Sequence, residues 1–446
     1  MNWGCSSTRM ASRRTYRHLR THWDLPATRR FYADECTSTG PTSDTGSNGV
    51  WWEILTCATQ GGPTAHVHPS LGEIAGSIRA IAELSGPSDE SVALRMDSHV
   101  AACAEEFLAQ KDKMNGQPLF MTVGFLAPHS PIAALAERVA DAQTRLRASG
   151  HDPIPFDPNQ VHPWFADKRQ QEGLDYLLAP TRLEIIRATC AAMIEHLDEC
   201  VARILTAAQG LPGRTVVIYT SDHGDCAGDH GWLTKKVFYE PAVRVPLVCS
   251  ELPDRSAGPR IRAEKPNGRG VVIDGAPVSL LDIAPTLCRL TGAPSLPLQA
   301  GIDLTSAIRT GSTCDLPQDR IVFSDLMLPH DTPIRMVRWG RFKLVIYHGY
   351  PAGELYDLAL DPNERVNLVG VEEYREVERE LAEVAHEGWC PEVIRRTSER
   401  KLTDLDFLTR WGLKVGMGQG EIWDASPPPP GEFPPPLSSY RISGAT

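Results

Sequence analysis

The chain has 446 residues, of which 41% are hydrophobic and 23% charged, with a formal net charge of −11. That is enough apolar material for a large domain with a smaller one attached, and the acidic balance argues against a nucleic-acid-binding surface. No apolar run approaches the roughly 20 residues that cross a bilayer, and the N-terminus lacks the apolar core and cleavage pattern of a secretory signal, so a cytoplasmic protein without membrane attachment is expected. Residues 1–23 are rich in arginine and free of acids, a faint transit-peptide texture. The eleven cysteines are scattered, with no CxxC, and Cys190, Cys249 and Cys288 sit in apolar contexts. Buried free thiols are expected.

In chain order, Thr37 to Gly49 is Gly/Ser/Thr-rich and reads as loop. Ser91 to Lys111 carries apolar residues at helical spacing, and Leu119 to Leu126 is a short apolar run that reads as a buried strand. Residues 145–180, rich in Pro, Asp and Gln, read as a long surface loop. Thr181 to Leu205 is the clearest helix, closed by Gly210 and Pro212, and Thr215 to Thr220 is a second buried strand. Strand, long crossover, strand is the pattern of a parallel sheet. A further strand is expected over Val243 to Cys249 and a short helix over Leu280 to Leu290. Ile334 to Tyr347 alternates around Gly340 and reads as an antiparallel hairpin. Glu372 to Ala385 reads as a charged helix, and the Pro-rich stretch Ser426 to Pro436 as extended or disordered.

The informative stretch is Ser221-Asp222-His223-Gly224-Asp225, directly after a predicted strand. Ligands of open parallel sheets bind beyond the carboxyl ends of strands. A carboxylate and an imidazole there are candidate donors to a divalent metal; on the pair alone, a turn cap and a satisfied loop histidine remain open. The run continues through Gly228-Asp229-His230-Gly231 to Lys235, Tyr239-Glu240 and Arg244-Val245-Pro246-Leu247.

This run resembles the sulfatase family of the alkaline phosphatase superfamily, in its choline-sulfatase and phosphonate monoester hydrolase-like branch. The resemblance spans roughly residues 115–370. It implies an α/β fold with a mostly parallel central sheet flanked by helices, and a smaller C-terminal antiparallel sheet plus helix. It implies that Asp222 and His223 are metal ligands and that Lys235 binds the anion and acts in catalysis, while Lys236 is its solvated neighbour. Phe120 to Pro131 resembles the family's strand ending in Pro-His, which makes His129 a catalytic and substrate-binding candidate. Ala11 to Tyr16, followed by Arg20 to Trp23, is similar to a worn copy of a further family segment, with His22 as an active-site histidine and Arg20 in place of a substrate-binding lysine.

The family's C/S-x-P-x-R nucleophile motif and first-strand Asp-Asp pair are missing from the sequence. Cys5 has an arginine, Arg9, at the right offset, but Ser7 stands where proline belongs. The expectation is a catalytic domain over 1–315 recorded without its first strand and nucleophile segment, a C-terminal α+β subdomain over 316–425 and a Pro-rich tail over 426–446. The function expected is metal-dependent hydrolysis of a small-molecule sulfate ester. The alternatives are a phosphonate monoester or phosphodiester hydrolase and a catalytically inactive binding protein. One divalent ion is implied, Ca²⁺ by the family and Mn²⁺ or Zn²⁺ by the imidazole, and a homo-oligomer is compatible with the reading.

Overall fold

The computed structural model describes residues 29–35, 52–56, 78–110, 118–252, 275–328 and 331–414, apart from positions 90, 131, 298 and 313. Cys5, Arg20, His22, the stretch 37–49 and the tail 426–446 lie outside the described residues. Among the described residues no helix is long and apolar enough to cross a membrane.

The fold is α/β, with helices packed on sheets. Strand β1 (Arg29–Glu35) lies between β2 (Trp52–Thr56) and β4 (Leu119–Val123), parallel to both. Neither β1 nor β2 was anticipated from the sequence. A two-residue parallel bridge joins β3 (Gly86–Pro87) to β5 (Ala133–Ala134). The helix Val92–Ala109 starts where periodicity placed it, capped by Ser91, whose side chain accepts from the Leu94 amide. The 29-residue helix Pro180–Ala208 begins with proline in its first turn and buries Ile186, Cys190, Met193 and Leu197. It packs against the helices Val92–Ala109 and Ala136–Ser149.

Three sequence expectations are corrected. Residues 145–180 are not one loop: they complete the helix Ala136–Ser149 and form the helices Pro163–Gln171 and Leu174–Leu177. Pro163 and Pro180 mark helix starts, and Trp164, Phe165 and Leu174 are buried anchors in an otherwise polar stretch. The strand expected over Val243 to Cys249 is shifted. Glu240–Val243 is a helical turn with Pro241 near its start, and β7 (Leu247–Leu252) begins only after Pro246. Finally, the parallel pattern read between β4 and the strand Thr215–Thr220 is not a direct pairing: among the described residues β4 pairs with β1, while β6 (Thr215–Thr220) pairs with β7 antiparallel, Thr220 opposite Leu247.

The C-terminal sheet is antiparallel throughout, in the order β11 (Glu354–Asp357), β10 (Phe342–Tyr347), β9 (Ile334–Trp339), β8 (Ile321–Leu326). The hairpin turns at Gly340, whose φ of 54° suits glycine. The helix Arg375–His386 covers the sheet with Leu381 and Ala385. The helices Thr305–Thr310 and Pro391–Lys414 were not foreseen.

A buried polar junction ties this sheet to the segment that follows Lys235. Lys343, 1% exposed, donates to Phe238 O at 2.7 Å and Glu240 Oε1 at 2.9 Å, and also pairs with the buried Glu364. Burial pushes the Glu364 carboxyl up to about 7, against the pull of Lys343. Nearby, Glu354 is buried and accepts from the hydroxyls of Tyr239 at 2.9 Å, Tyr347 at 2.5 Å and Tyr356 at 3.1 Å. Removing one partner of such a set strands the others without water. Lys343→Ala is therefore expected to destabilise the fold by about 3–5 kcal/mol, read as a lower urea midpoint with an unchanged slope.

Candidate active site

The site forms where β4 and β6 end. Past β4 the chain turns through Ala127 and Pro128 to His129, whose amide donates to Leu126 O at 2.8 Å. Past β6 it passes Ser221 and Asp222 to His223 and Gly224. Only glycine fits at 224: a Cβ there would lie 2.0 Å from Pro241 O, and its amide donates to Ala242 O at 2.8 Å.

Lys235 reaches this place at the end of a tightly tied loop. Asp225 Oδ1 accepts from the amides of Ala227 at 2.7 Å and Thr234 at 2.9 Å, closing the loop across its base. Burial pushes the Asp225 carboxyl up, while those two amides pull it down. The Trp232 indole donates to Lys235 O at 3.0 Å, and Trp232 and Leu233 are buried beneath. Thr234 and Lys236, which flank Lys235, hold positive φ of 65° and 81°, a strained backbone that the surrounding bonds enforce. Lys235 is half-buried at the site and Lys236 is exposed to solvent.

The Lys235 ammonium lies 2.7 Å from His223 Nε2 and 3.2 Å from His129 Nε2. The other ring nitrogens fix the proton positions. His223 Nδ1 donates to Gly224 O at 2.9 Å and His129 Nδ1 donates to Ser130 O at 2.8 Å. Both Nε2 atoms therefore carry lone pairs toward the ammonium, an assignment made from hydrogen-bond partners. Asp222 is exposed. Its Oδ1 accepts from the His223 amide at 2.9 Å and its Oδ2 lies 3.6 Å from His223 Nε2.

The structure thus brings together four of the six residues singled out from sequence: Lys235, His129, His223 and Asp222. Arg20 and His22 lie outside the described residues. Asp225 was missed as a functional support, although its place in Ser221-Asp222-His223-Gly224-Asp225 was a signal. Among the described residues no three His, Cys, Asp or Glu side chains cluster as a metal site. Asp222 and His223 supply a carboxylate and an imidazole with its second nitrogen pinned, a donor pair that fits a divalent ion as part of a larger set. In this arrangement Lys235 holds the His223 lone pair that such an ion would use.

His230, in the same segment, is structural. Its ring stacks on Tyr239 at 3.9 Å, its amide donates to Ile154 O at 2.7 Å, and its φ is 54°.

A family model described as "Sulfatase" matches residues 56–293, more than half of the chain. The chain belongs to the sulfatase family. A second model, "N-sulphoglucosamine sulphohydrolase, C-terminal", matches residues 228–387 of this chain. It is similar to Arylsulfatase K of Xenopus laevis, 24% identical over 69% of this chain and 59% of that protein. It is also similar to the choline-sulfatase of Rhizobium meliloti, 27% identical over 67% of this chain and 55% of the relative. With Delta 4,5-hexuronate-2-O-sulfatase of Bacteroides thetaiotaomicron it shares 31% identity over 47% of this chain and 42% of that one. The chain thus spans between two-fifths and three-fifths of the length of these curated relatives. Among solved structures, phosphonate monoester hydrolase SpPMH from Silicibacter pomeroyi shares the fold, with a TM-score of 0.50 and 19% identity, covering 69% of this chain and 64% of its own.

Burial, then the charge of Lys343, push the His230 imidazole down to about 4. The unfolded chain binds a proton at about pH 6.5 that the folded chain refuses until about pH 4. The His230 contribution to stability is therefore fully present above about pH 6.5 and is lost as pH falls through this window, by about 3 kcal/mol in all. The raised Glu364 carboxyl contributes in the opposite sense over the same range. Comparing the wild type with His230→Asn, which tolerates the left-handed backbone, by urea unfolding at pH 7 and pH 4.5 isolates the His230 share: relative to the wild type, the variant should gain about 2–3 kcal/mol at the lower pH.

Proposed function

We propose that the protein is a metal-dependent hydrolase of small-molecule sulfate esters, acting in the cytoplasm, with the chemistry in residues 1–315 and a bracing subdomain in 316–425. The observation that carries this reading is the Lys235 ammonium held between two neutral imidazoles at the strand ends, beside an exposed carboxylate. A sulfate ester is an anion with three terminal oxygens. Lys235 offers it a positive charge already aimed and partly desolvated, which costs little to reorganise as charge builds on the leaving oxygen. His129, whose Nε2 accepts from the Lys235 ammonium at 3.2 Å, is placed to take a proton there and relay it to that oxygen, leaving Lys235 neutral. Pinning Nδ1 leaves Nε2 as the nitrogen that exchanges the proton.

Asp222 and His223 would hold the divalent ion, as part of its donor set. Calcium is the ion favoured, with Mn²⁺ and Zn²⁺ the alternatives that an imidazole suits. When bound, such an ion supplies Lewis-acid polarisation of the ester oxygens. Lys235, relieved of the His223 lone pair, is then free to face the substrate.

Turnover of 4-nitrophenyl sulfate against bis(4-nitrophenyl) phosphate tests the reading. Preference for the sulfate supports it. Preference for the phosphate diester would shift it to phosphoryl chemistry, and turnover of neither would leave an anion-binding protein. Lys235→Ala should lower kcat/KM on the sulfate about 10²- to 10³-fold, the cost of losing one preorganised charge-stabilising donor. Asp222→Ala should abolish the rise in melting temperature with added Ca²⁺ or Mn²⁺. An equal rise in the wild type and Asp222→Ala would remove Asp222 from the ligand set.

A further inference from the structure

The strand end that carries His129 is held by a buried carboxylate. Asp97 lies on the inner face of the helix Val92–Ala109, 1% exposed, among Ala93, Leu94, Val100, Ala101 and Ala104. Its Oδ1 accepts from the Leu126 amide at 2.8 Å and its Oδ2 from the Ala127 amide at 3.0 Å. These are consecutive amides just beyond β4. The next residue, Pro128, has no amide proton, and the one after is His129.

A charge on an apolar helix face costs free energy that alanine or leucine would avoid. What it supplies is specific. Two adjacent amides that have left the sheet, one half-buried and one buried, both need acceptors, and one planar side chain serves both only if each of its ends is an acceptor, as in a carboxylate. The two clamped residues open a turn that His129 closes, through its amide bond to Leu126 O. Fixing Leu126 and Ala127 therefore fixes the approach of the His129 ring to Lys235, 3.2 Å away.

We propose that Asp97 is a positioning residue for His129, setting the imidazole against Lys235 without itself touching the substrate. The proposal rests on the reading of His129 as an active-site residue, and two readouts separate the two claims. The first is the imidazole signals of full-length, ¹⁵N-histidine-labelled protein in long-range ¹H–¹⁵N spectra, with His129 assigned by its disappearance in His129→Ala. Asp97→Asn keeps the shape but turns one acceptor into a donor facing an amide. It should move the His129 signals while leaving those of His151 and His348 in place. The second is calorimetric titration with inorganic sulfate. Asp97→Asn and His129→Ala should each weaken binding about tenfold, the scale expected of a displacement well under 1 Å. The double variant should be no weaker than His129→Ala alone.

Unmoved His129 signals in a folded Asp97→Asn protein would overturn the proposal, as would fully additive losses of sulfate affinity. If the wild type binds no sulfate, the anion-site reading fails and the imidazole signals alone decide on Asp97. Should Asp97→Asn not fold, Asp97→Glu keeps both acceptors one methylene further out. It is expected to shift the His129 signals by a smaller amount, and unmoved signals there would count equally against the proposal.

Discussion

A fully buried ammonium must be neutralised by groups that come to it, and Lys343 draws together parts of the chain 103 residues apart. Its partners, Glu240 and the Phe238 carbonyl, lie directly after Lys235, while Lys343 itself belongs to the second strand of the C-terminal sheet. Glu364 completes the neutralisation and takes the Glu240 amide at 2.6 Å, satisfying one of the unpaired donors of a helical turn. The Glu354 carboxylate does similar work next door, collecting three tyrosine hydroxyls from both sides of the junction. The segment that holds Lys235 is thereby anchored at its C-terminal end by a structure that would be left with unpaired buried charge if it moved.

The anchor at the other end of that segment is smaller and local. Asp225 ties the loop base, and Gly224 lets the strand end approach the Glu240–Val243 turn closely enough to bond it. Between two fixed ends the backbone accepts positive φ at Thr234 and Lys236, so that neighbouring lysines point to different environments. Lys235 faces two imidazoles and Lys236 faces water. The same residue type has two fates, and the backbone decides which.

The site is preorganised through lone pairs. Each histidine spends its Nδ1 proton on a nearby carbonyl, which leaves Nε2 to accept. An ammonium between two acceptors is well satisfied as it stands, and on the proposed reading its remaining proton is open to an incoming anion. Asp222, exposed beside His223, adds negative charge on the solvent side, where a cation would enter.

Much of this was legible in the sequence because it is contiguous. Asp222, His223, Lys235 and the Tyr239-Glu240 pair lie within twenty residues, and their order alone carried the family resemblance. The helices Val92–Ala109 and Pro180–Ala208 and the hairpin about Gly340 were legible for a related reason: periodicity and turn residues are local signals. Other features were decided only by tertiary structure. Strand direction depends on which edge a strand meets, so β6 and β7 could not be read as antiparallel from their apolar runs. The helices inside 145–180 are held by a few anchors such as Phe165 and Leu174, whose burial is set by distant neighbours. Lys343, in an alternating strand, carried no mark of a buried charge, and Asp97 on its helix none of a clamp thirty residues away. The sequence by itself determined the family and the candidate residues, because residue types in order carry that resemblance. The tertiary structure alone decided which groups hold that chemistry in place, because each such bond joins residues that only folding brings within 3 Å.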